Sequence, residues 1–516
     1  MTATKRKYLV RRIVASTVVA ILLAVGLARA FSGGSSSPAP DKAAAMVPSD
    51  ALVYLNLGTS KDSSQWRRTA AAMSQLPIAG QLRDALLTEA TTDALGNLSL
   101  DSDIRPWLGN EAAYTQLPGR GQSLLLFRVR DQRKALSSIG RAGSKSGSYN
   151  GTPLHDVGSG SVAAFSGGWA LIGKADAVRK GLDTRAKPAG SLAQDKTYAA
   201  LVGGLPKDRV GNAWLSQTWL KTHLAGPAAM LAGAARVRAI QSAAVGFGDN
   251  GKLIRLAFRG QAAPGQATGP GCTGESSQGD ALFSKAPAHP ALFVGLAGAE
   301  CVIRDLMASP TSAIGKALSS FSAQAGKSGV NVDKDVLPLL GGDSGLSITP
   351  GPTITLEAGD VPAQESLNVL GRLQSALIKL LKPEADGSTP GFSAQNVNGV
   401  NALTASLTPG LQLSYAAFDG DLVLSTALSG VAEAKKGDHL AQTQDFKTVL
   451  GSRPKATSAV IFLDLQKLLA LADQAGLGSN PTYAAVRDDL KKIGAAGAVL
   501  SREGNVIDAE LRLKNP

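Results

Sequence analysis

The sequence predicts an α+β protein of two tandem similar lobes, each a mainly antiparallel sheet with helices packed on one face, preceded by one N-terminal transmembrane helix. Three observations carry that reading. Leu98–Glu111, LSLDSDIRPWLGNE, returns in altered form from Asn331 as NVDKDVLPLLGGD, with Asp101, Asp103, Pro106, Leu108 and Gly109 over Asp333, Asp335, Pro338, Leu340 and Gly341 at one constant offset. Short apolar runs bounded by Gly and Pro recur in the same order in both halves, as strands do. An uncharged run, Ile13–Ala28, follows a basic start.

Composition narrows the class. At 516 residues the chain is too long for one ordinary core. Its 44% hydrophobic and 18% charged residues describe a globular protein and exclude wholesale disorder. The net charge of +13 suggests nucleic acid, but Lys5, Arg6, Lys7, Arg11, Arg12 and Arg29 all precede the first acid, Asp41. What remains is a mildly basic surface without clustered Lys/Arg and interleaved aromatics, so no nucleic-acid partner is expected.

In chain order, residues 1–12 form a basic cytoplasmic end and 13–31 a membrane anchor, oriented by the excess of positive charge on its N-terminal side, with a cleaved signal at the small-x-small site Ala28-Arg29-Ala30 as the alternative. Residues 32–47, beginning SGGSSSPAPDK, read as a flexible tether. The first repeat lobe spans 48–260. It opens on the strand ALVYLNL and a helical stretch with Trp66, Ala70, Met73, Leu82, Ala85 and Leu86 at helical spacing. Asp101–Gly109 then reads as a short helix, with Asp101 or Asp103 as the N-cap acceptor and Gly109 as a left-handed stop. The strand SLLLFRVR sets Val129 between Arg128 and Arg130, and VAAF and WALIG flank Ser166-Gly167-Gly168 as a hairpin.

A linker, 261–280, separates this lobe from the second, 281–516. There ALFVGLAG stands where ALVYLNLG stood, and YAAF and LVL surround an Asp419-Gly420 turn. Leu370, Leu373, Leu377, Leu380 and Leu381 give the best amphipathic pattern of the chain. The closing strand alternates Ile507, Ala509, Leu511 and Leu513 with Asp508, Glu510, Arg512 and Lys514, a half-wet antiparallel pattern.

Candidate chemistry is sparse. The Asp101/Asp103 and Asp333/Asp335 pairs suit helix caps better than metal ligands, because no Gly-punctuated acidic loop accompanies them. His155, His223, His289 and His439 lack partners at metal-ligand spacing. There is no G-x-S-x-G elbow, Walker motif or Rossmann motif. No catalytic residue, metal or cofactor is therefore expected. Trp107 reads as a buried anchor of its short helix. Cys272 and Cys301, the only two cysteines, are expected to pair in an oxidising compartment, pinning the linker to the start of the second lobe.

The anchor, the start at Pro48 and Asp50–Leu57, and the core Asp103–Glu111, DIRPWLGNE, together resemble the bacterial family called domain of unknown function 3352. The second repeat departs from that pattern, with Leu339 where Trp107 stands. The resemblance implies a membrane-anchored surface or envelope protein and no catalytic residues. The expectation is a single-pass protein of the cell membrane, held there by its N-terminal helix, with its globular part outside the cytoplasm and a non-enzymatic role toward an unknown envelope protein or ligand. An unrecognised envelope hydrolase and a structural spacer are the alternatives.

Overall fold

The computed structural model describes residues 41–59, 95, 97–223, 240–249, 253–264, 283, 285–308, 313–327, 329–361, 363–380, 391–408, 411–435, 438–479, 484, 487–488 and 490–514. By contacts the chain divides into two compact units, the first ending at Pro264 and the second resuming at Gly265. The first unit holds strands β1 (Val53–Gly58), β2 (Leu108–Gln116), β3 (Ser123–Val129), β4 (Lys145–Tyr149), β5 (Thr152–Gly158), β6 (Ser161–Ser166), β7 (Trp169–Lys174), β8 (Arg209–Ser216), β9 (Ile240–Asp249) and β10 (Leu253–Ala262). Its helices are α1 (Gln132–Ala142), α2 (Ala175–Ala186), α3 (Lys196–Gly203) and α4 (Gln217–His223).

The second unit holds β11 (Leu292–Ala297), β12 (Asp343–Thr349), β13 (Thr353–Ala358), β14 (Ser393–Val397), β15 (Val400–Thr408), β16 (Leu411–Phe418), β17 (Asp421–Ser425), β18 (Thr457–Asp464), β19 (Ala495–Glu503) and β20 (Val506–Lys514). Helices α5 (Ala299–Met307), α6 (Ala313–Lys327), α7 (Ala363–Leu380), α8 (Leu428–Lys435), α9 (Gln444–Leu450) and α10 (Leu465–Gln474) connect them.

Strand pairing in the first unit runs β4-β5-β6-β7-β3-β2-β1-β8-β9-β10, antiparallel throughout. In the second it runs β14-β15-β16-β17-β13-β12-β11-β18-β19-β20, the same order strand for strand.

The fold expectation is nonetheless corrected at three points. All twenty strands belong to one antiparallel sheet, not to two separate lobes. Alternation along a strand fixes which side chains face which way, but not which strand edges stay open, so it does not count sheets. Second, among the described residues no helix is long and apolar enough to cross a membrane, and the predicted span at 13–31 lies outside them. Third, helices cover both faces and not one. In the first unit α1 contributes Ala135 and Ile139 to the core that holds Leu125 and Phe127, while Gly181 of α2 lies against Leu124 and Leu171 on the other side. The run SLLLF is apolar on both faces because both are buried, and a single alternating face does not describe it.

Local readings shift as well. Leu100–Ile104 is one π-helical turn with Ser99 as its N-cap. Asp103 does not cap by accepting from the turn; its carboxylate reaches back to the Ser99 N–H at 2.9 Å, the return half of a capping box. Asp335 does the same for the Asn331 N–H at 2.8 Å. Gly109 is no left-handed stop but lies in β2, where a Cβ would come within 3.0 Å of Arg128. Trp107 is fully buried, donates its indole N–H to the Asp103 carbonyl, and meets Phe127 edge-on at 6.1 Å. In the last strand Leu511 is 36% exposed and Arg512 only 7%. Arg512 is buried because its guanidinium donates to the carbonyls of Val449 and Ser452, beside the end of α9, and to Glu510 at 2.8 Å.

Cys301, in α5, is disulfide-bonded, and Cys272, the chain's other cysteine, lies outside the described residues. The helical stretch around Trp66–Leu86 lies outside them too.

Two outcomes test this description. Trp107→Ala is expected to lower stability by about 3–5 kcal/mol in chemical denaturation, since it empties a fully buried site. Thiol-reactive labelling of the native, unreduced protein is expected to give no signal and to report two thiols after reduction. One labelled native thiol would break the pairing.

Candidate functional site

Register across the centre of the first unit lines up a polar face. Tyr54 of β1 stands opposite Trp214 of β8 and Thr115 of β2, and Asn56 stands opposite Asn212. Glu111 lies on the same face, opposite Gly58. Tyr54, Asn56, Glu111, Thr115 and Asn212 are all 0–1% exposed. The reverse face carries Val53, Leu55 and Leu57 into the apolar core with Trp107.

What covers the polar face is the segment just before it. Residues 41–47, which composition places at the end of the tether, enter a 3-10 turn at Ala43–Met46 and bury Ala43, Ala44, Met46 and Val47 to within 2%. Asp41 takes the Tyr54 hydroxyl on one carboxylate oxygen at 2.7 Å and the Tyr198 hydroxyl on the other at 2.5 Å. The Ala43 N–H donates to Glu111 at 2.8 Å, so Glu111 satisfies an otherwise unpaired amide at the start of the turn. Asn212 donates to the Tyr198 oxygen at 3.5 Å. Helix α3 delivers Tyr198, and Asp195 caps that helix at the Tyr198 N–H. The ring of Tyr198 meets Tyr54 at 5.9 Å and Trp214 at 5.6 Å, both edge-on. Val47 accepts from the Leu192 N–H at 2.7 Å, and Pro48 bridges to Ser191.

The electrostatics follow from burial. Loss of water pushes the Glu111 carboxyl up to about 7, with the negative charge of Asp41 adding to the rise and the Ala43 N–H opposing it. Both phenols are held well above their ordinary value, first by burial and then by Asp41. Burial lowers Arg209 while Asp41 pulls it back up. Both phenols thus stay protonated at neutral pH, and Glu111 changes charge close to it. Chemically the cluster is a clasp: Glu111 closes on the entry segment, and Asp41, within that segment, closes on the two phenols beneath it.

The second unit builds the same place from hydrocarbon. Phe293 opposite Phe462 stands where Tyr54 opposite Trp214 stands, and Phe446 of α9 takes the place of Tyr198. Phe283 fills the centre, 5.9 Å from Phe293 and 5.2 Å from Phe446, with the Arg453 guanidinium 4.5 Å above its ring. A separate buried acid lies in β13. Glu357 is 5% exposed, neither of its carboxylate oxygens has a hydrogen-bond partner among the described residues, and burial pushes it up to about 8, helped by Asp421 and opposed by Lys285. Lys285 pairs with Asp421 at 2.6 Å.

The residues singled out by the sequence do not converge here. Asp103 and Asp335 close their own turns, and Asp335 also pairs with Arg372 at 2.9 Å beside a depression of about 440 Å³ that Lys334 and Leu339 help to line. Among the described residues no three His, Cys, Asp or Glu side chains gather as metal ligands. Sequence reasoning missed the clasp. Its one signal was Asn56 inside an otherwise apolar strand, echoed by Asn212 in GNAWLS.

The pattern of the family described as a protein of unknown function, DUF3352, matches residues 13–514. The chain belongs to that family. The DUF3352 match takes in both the clasp and its hydrocarbon counterpart. No curated protein matches. Among solved structures, crystal form III of TP0453 is 9% identical over 45% of this chain and 81% of its own, at a TM-score of 0.26. Crystal form I of TP0453 is 10% identical over 44% and 80%, at 0.25. At that level neither fold nor function transfers to the DUF3352 chain.

The clasp gives a pH signature. Folded, Glu111 keeps its proton up to about pH 7, whereas its ordinary value is 4.5. Across that window the folded chain binds more protons than the unfolded one, so stability is greatest below it and falls as pH rises through it, by at most about 3 kcal/mol from this group. Glu357 acts with the same sign, its loss extending to about pH 8. Denaturant midpoints measured from pH 4.5 to 8 are expected to decline in the parent protein and to decline less in Glu111→Gln.

Proposed function

We propose that this DUF3352 protein is a single-pass anchored protein of the cell membrane, with its globular part outside the cytoplasm, that acts by binding an envelope partner or ligand and not by catalysis. The observation that carries the reading is the clasp at Asp41. The uncharged run Ile13–Ala28, with its basic N-terminal flank, has the composition of an anchor inserted with that flank inside. A chain that leaves a membrane at Ala28 reaches Asp41 thirteen residues later, where two tyrosines and Glu111 fix it to the first unit. Holding a globular part close to a surface is what such a clasp is suited to do.

The same geometry speaks against the hydrolase alternative. General acid–base chemistry needs shifted groups pointing at a substrate. At the centre of the first unit Glu111, Tyr54 and Tyr198, all raised, are spent on the chain's own entry segment.

Protease added to intact spheroplasts is expected to remove the globular part, and protection until lysis would reverse the orientation. Crosslinking in intact cells followed by capture of the anchored chain is expected to bring down one discrete envelope component. At the clasp itself, Lys42 is exposed while Ala43 is buried, so trypsin cuts that bond only when the segment lifts off. Asp41→Ala removes two hydrogen bonds to a charged acceptor, each worth about 1.5–3 kcal/mol, and is expected to speed that cleavage by about tenfold or more. An unchanged rate would show that the clasp does not hold the segment.

A further inference from the structure

The hairpin between β6 and β7 turns on Gly167-Gly168, and the one between β16 and β17 turns on Asp419-Gly420. Ser166 pairs with Trp169 in the first and Phe418 with Asp421 in the second, so the turns are equivalent position for position. All four turn residues have positive φ: 56° and 77° at Gly167 and Gly168, 53° and 80° at Asp419 and Gly420. A helix follows each hairpin, and a cation near its last turn lies over the hairpin: Arg185 of α2 in the first unit, Lys435 of α8 in the second.

The two differ in charge balance. Lys435 is ion-paired to Asp419 in the turn itself, and Asp421 just after it is paired with Lys285. In the first unit glycine and tryptophan occupy those two places. Arg185 donates to the Ser166 hydroxyl at 2.5 Å and lies so close over Gly167 that a Cβ there would overlap its guanidinium. Arg128 donates to the Gly167 carbonyl at 3.2 Å, sits 5.6 Å over the Trp169 ring and lies against Gly168. Arg130, two residues further along, donates to the Pro106 carbonyl at 3.3 Å. Among the described residues neither Arg128 nor Arg185 has a carboxylate partner.

We propose that Arg128 and Arg185, held side by side on the Gly167-Gly168 turn, form a binding site for a phosphate-type oxyanion, supplied either free in solution or as a phospholipid headgroup. A guanidinium presents a planar fork of donors that matches phosphate geometry. Here each fork is fixed by one neutral contact, to a hydroxyl or a carbonyl, and Arg128 is further set by the indole beneath it. Two cations fixed on one turn without an acid are the donor half of an ion pair. The second unit, with Asp419 built in, shows the completed pair. The site does not depend on the anchored topology or on the clasp.

The test uses the full chain in zwitterionic detergent micelles. Inorganic phosphate is titrated and followed by phosphorus NMR line broadening, and in parallel the micelles are doped with phosphatidylglycerol or, as the control, phosphatidylcholine. The parent protein is expected to bind phosphate, phosphatidylglycerol micelles, or both, in a salt-sensitive way. Response to inorganic phosphate marks a solute site, and response to phosphatidylglycerol alone marks a headgroup site. Arg128→Gln and Arg185→Gln are each expected to weaken binding tenfold or more. Gly167→Asp, which installs the acid of the second unit and makes the Arg185 guanidinium shift to pair with it, is expected to do the same in protein whose circular dichroism shows it folded. Absence of binding to either probe, or binding that survives both Arg185→Gln and Gly167→Asp, would overturn the proposal.

Discussion

The centre of the first unit depends on one side chain that has nowhere else to go. Trp107 is fully buried, its only polar atom is satisfied by a carbonyl one turn earlier, and its own carbonyl receives the Arg130 N–H at 2.9 Å. That pair of contacts locks the π-helical turn to the exit of β3. It thereby fixes how β2 leaves the turn, which face of β1 meets the apolar core, and which face is left for Tyr54 and Glu111. The second unit keeps the turn and its back-reaching aspartate but seats Leu339 in place of the indole.

The two units show how little chemistry separates a buried polar site from a hydrocarbon core. Tyr198 meets Tyr54 and Trp214 edge-on at 5.9 and 5.6 Å, while in the second unit Phe283 meets Phe293 and Phe446 at 5.9 and 5.2 Å and Phe446 meets Phe462 at 6.0 Å. The first arrangement carries two hydroxyls and therefore demands a carboxylate; the second fills the gap with a ring. A buried hydroxyl left unpaired costs more than either solution. The polar version is thus tied to Asp41, and the entry segment is tied with it.

Much of the strand pattern was legible, because alternation and bounding Gly/Pro residues report a local physical fact: which side chains are wet. The hairpins at Gly167-Gly168 and Asp419-Gly420, the burial of Trp107 and the recurrence of the Asp-x-Asp turn were readable in that way. The number of sheets was not, since edge pairing is a backbone property that side-chain patterning does not encode. Helices on both faces were hidden in the unbroken apolar run of β3. The clasp escaped for another reason. Asp41 sits in a stretch whose composition says linker, and the other members of the clasp, Tyr54, Glu111, Tyr198 and Asn212, are scattered along the chain, so only the fold brings them together. Arg512 and Leu511 exchange their expected exposures because two carbonyls and Glu510 make burial of a guanidinium affordable there.

The entry segment also has a mechanical meaning. A pull applied upstream of Asp41 meets, within seven residues of chain from Asp41 to Val47, two phenol contacts on one carboxylate, the Ala43–Glu111 bond and the Leu192–Val47 bond, which reach into β1, α3, β2 and the turn before α3. A pull from that side meets the two Asp41 contacts first, the Ala43 bond next and the Val47 bond last. The strands of the first unit are therefore loaded only after the segment has been lifted off, which makes the entry segment a sacrificial link ahead of the sheet.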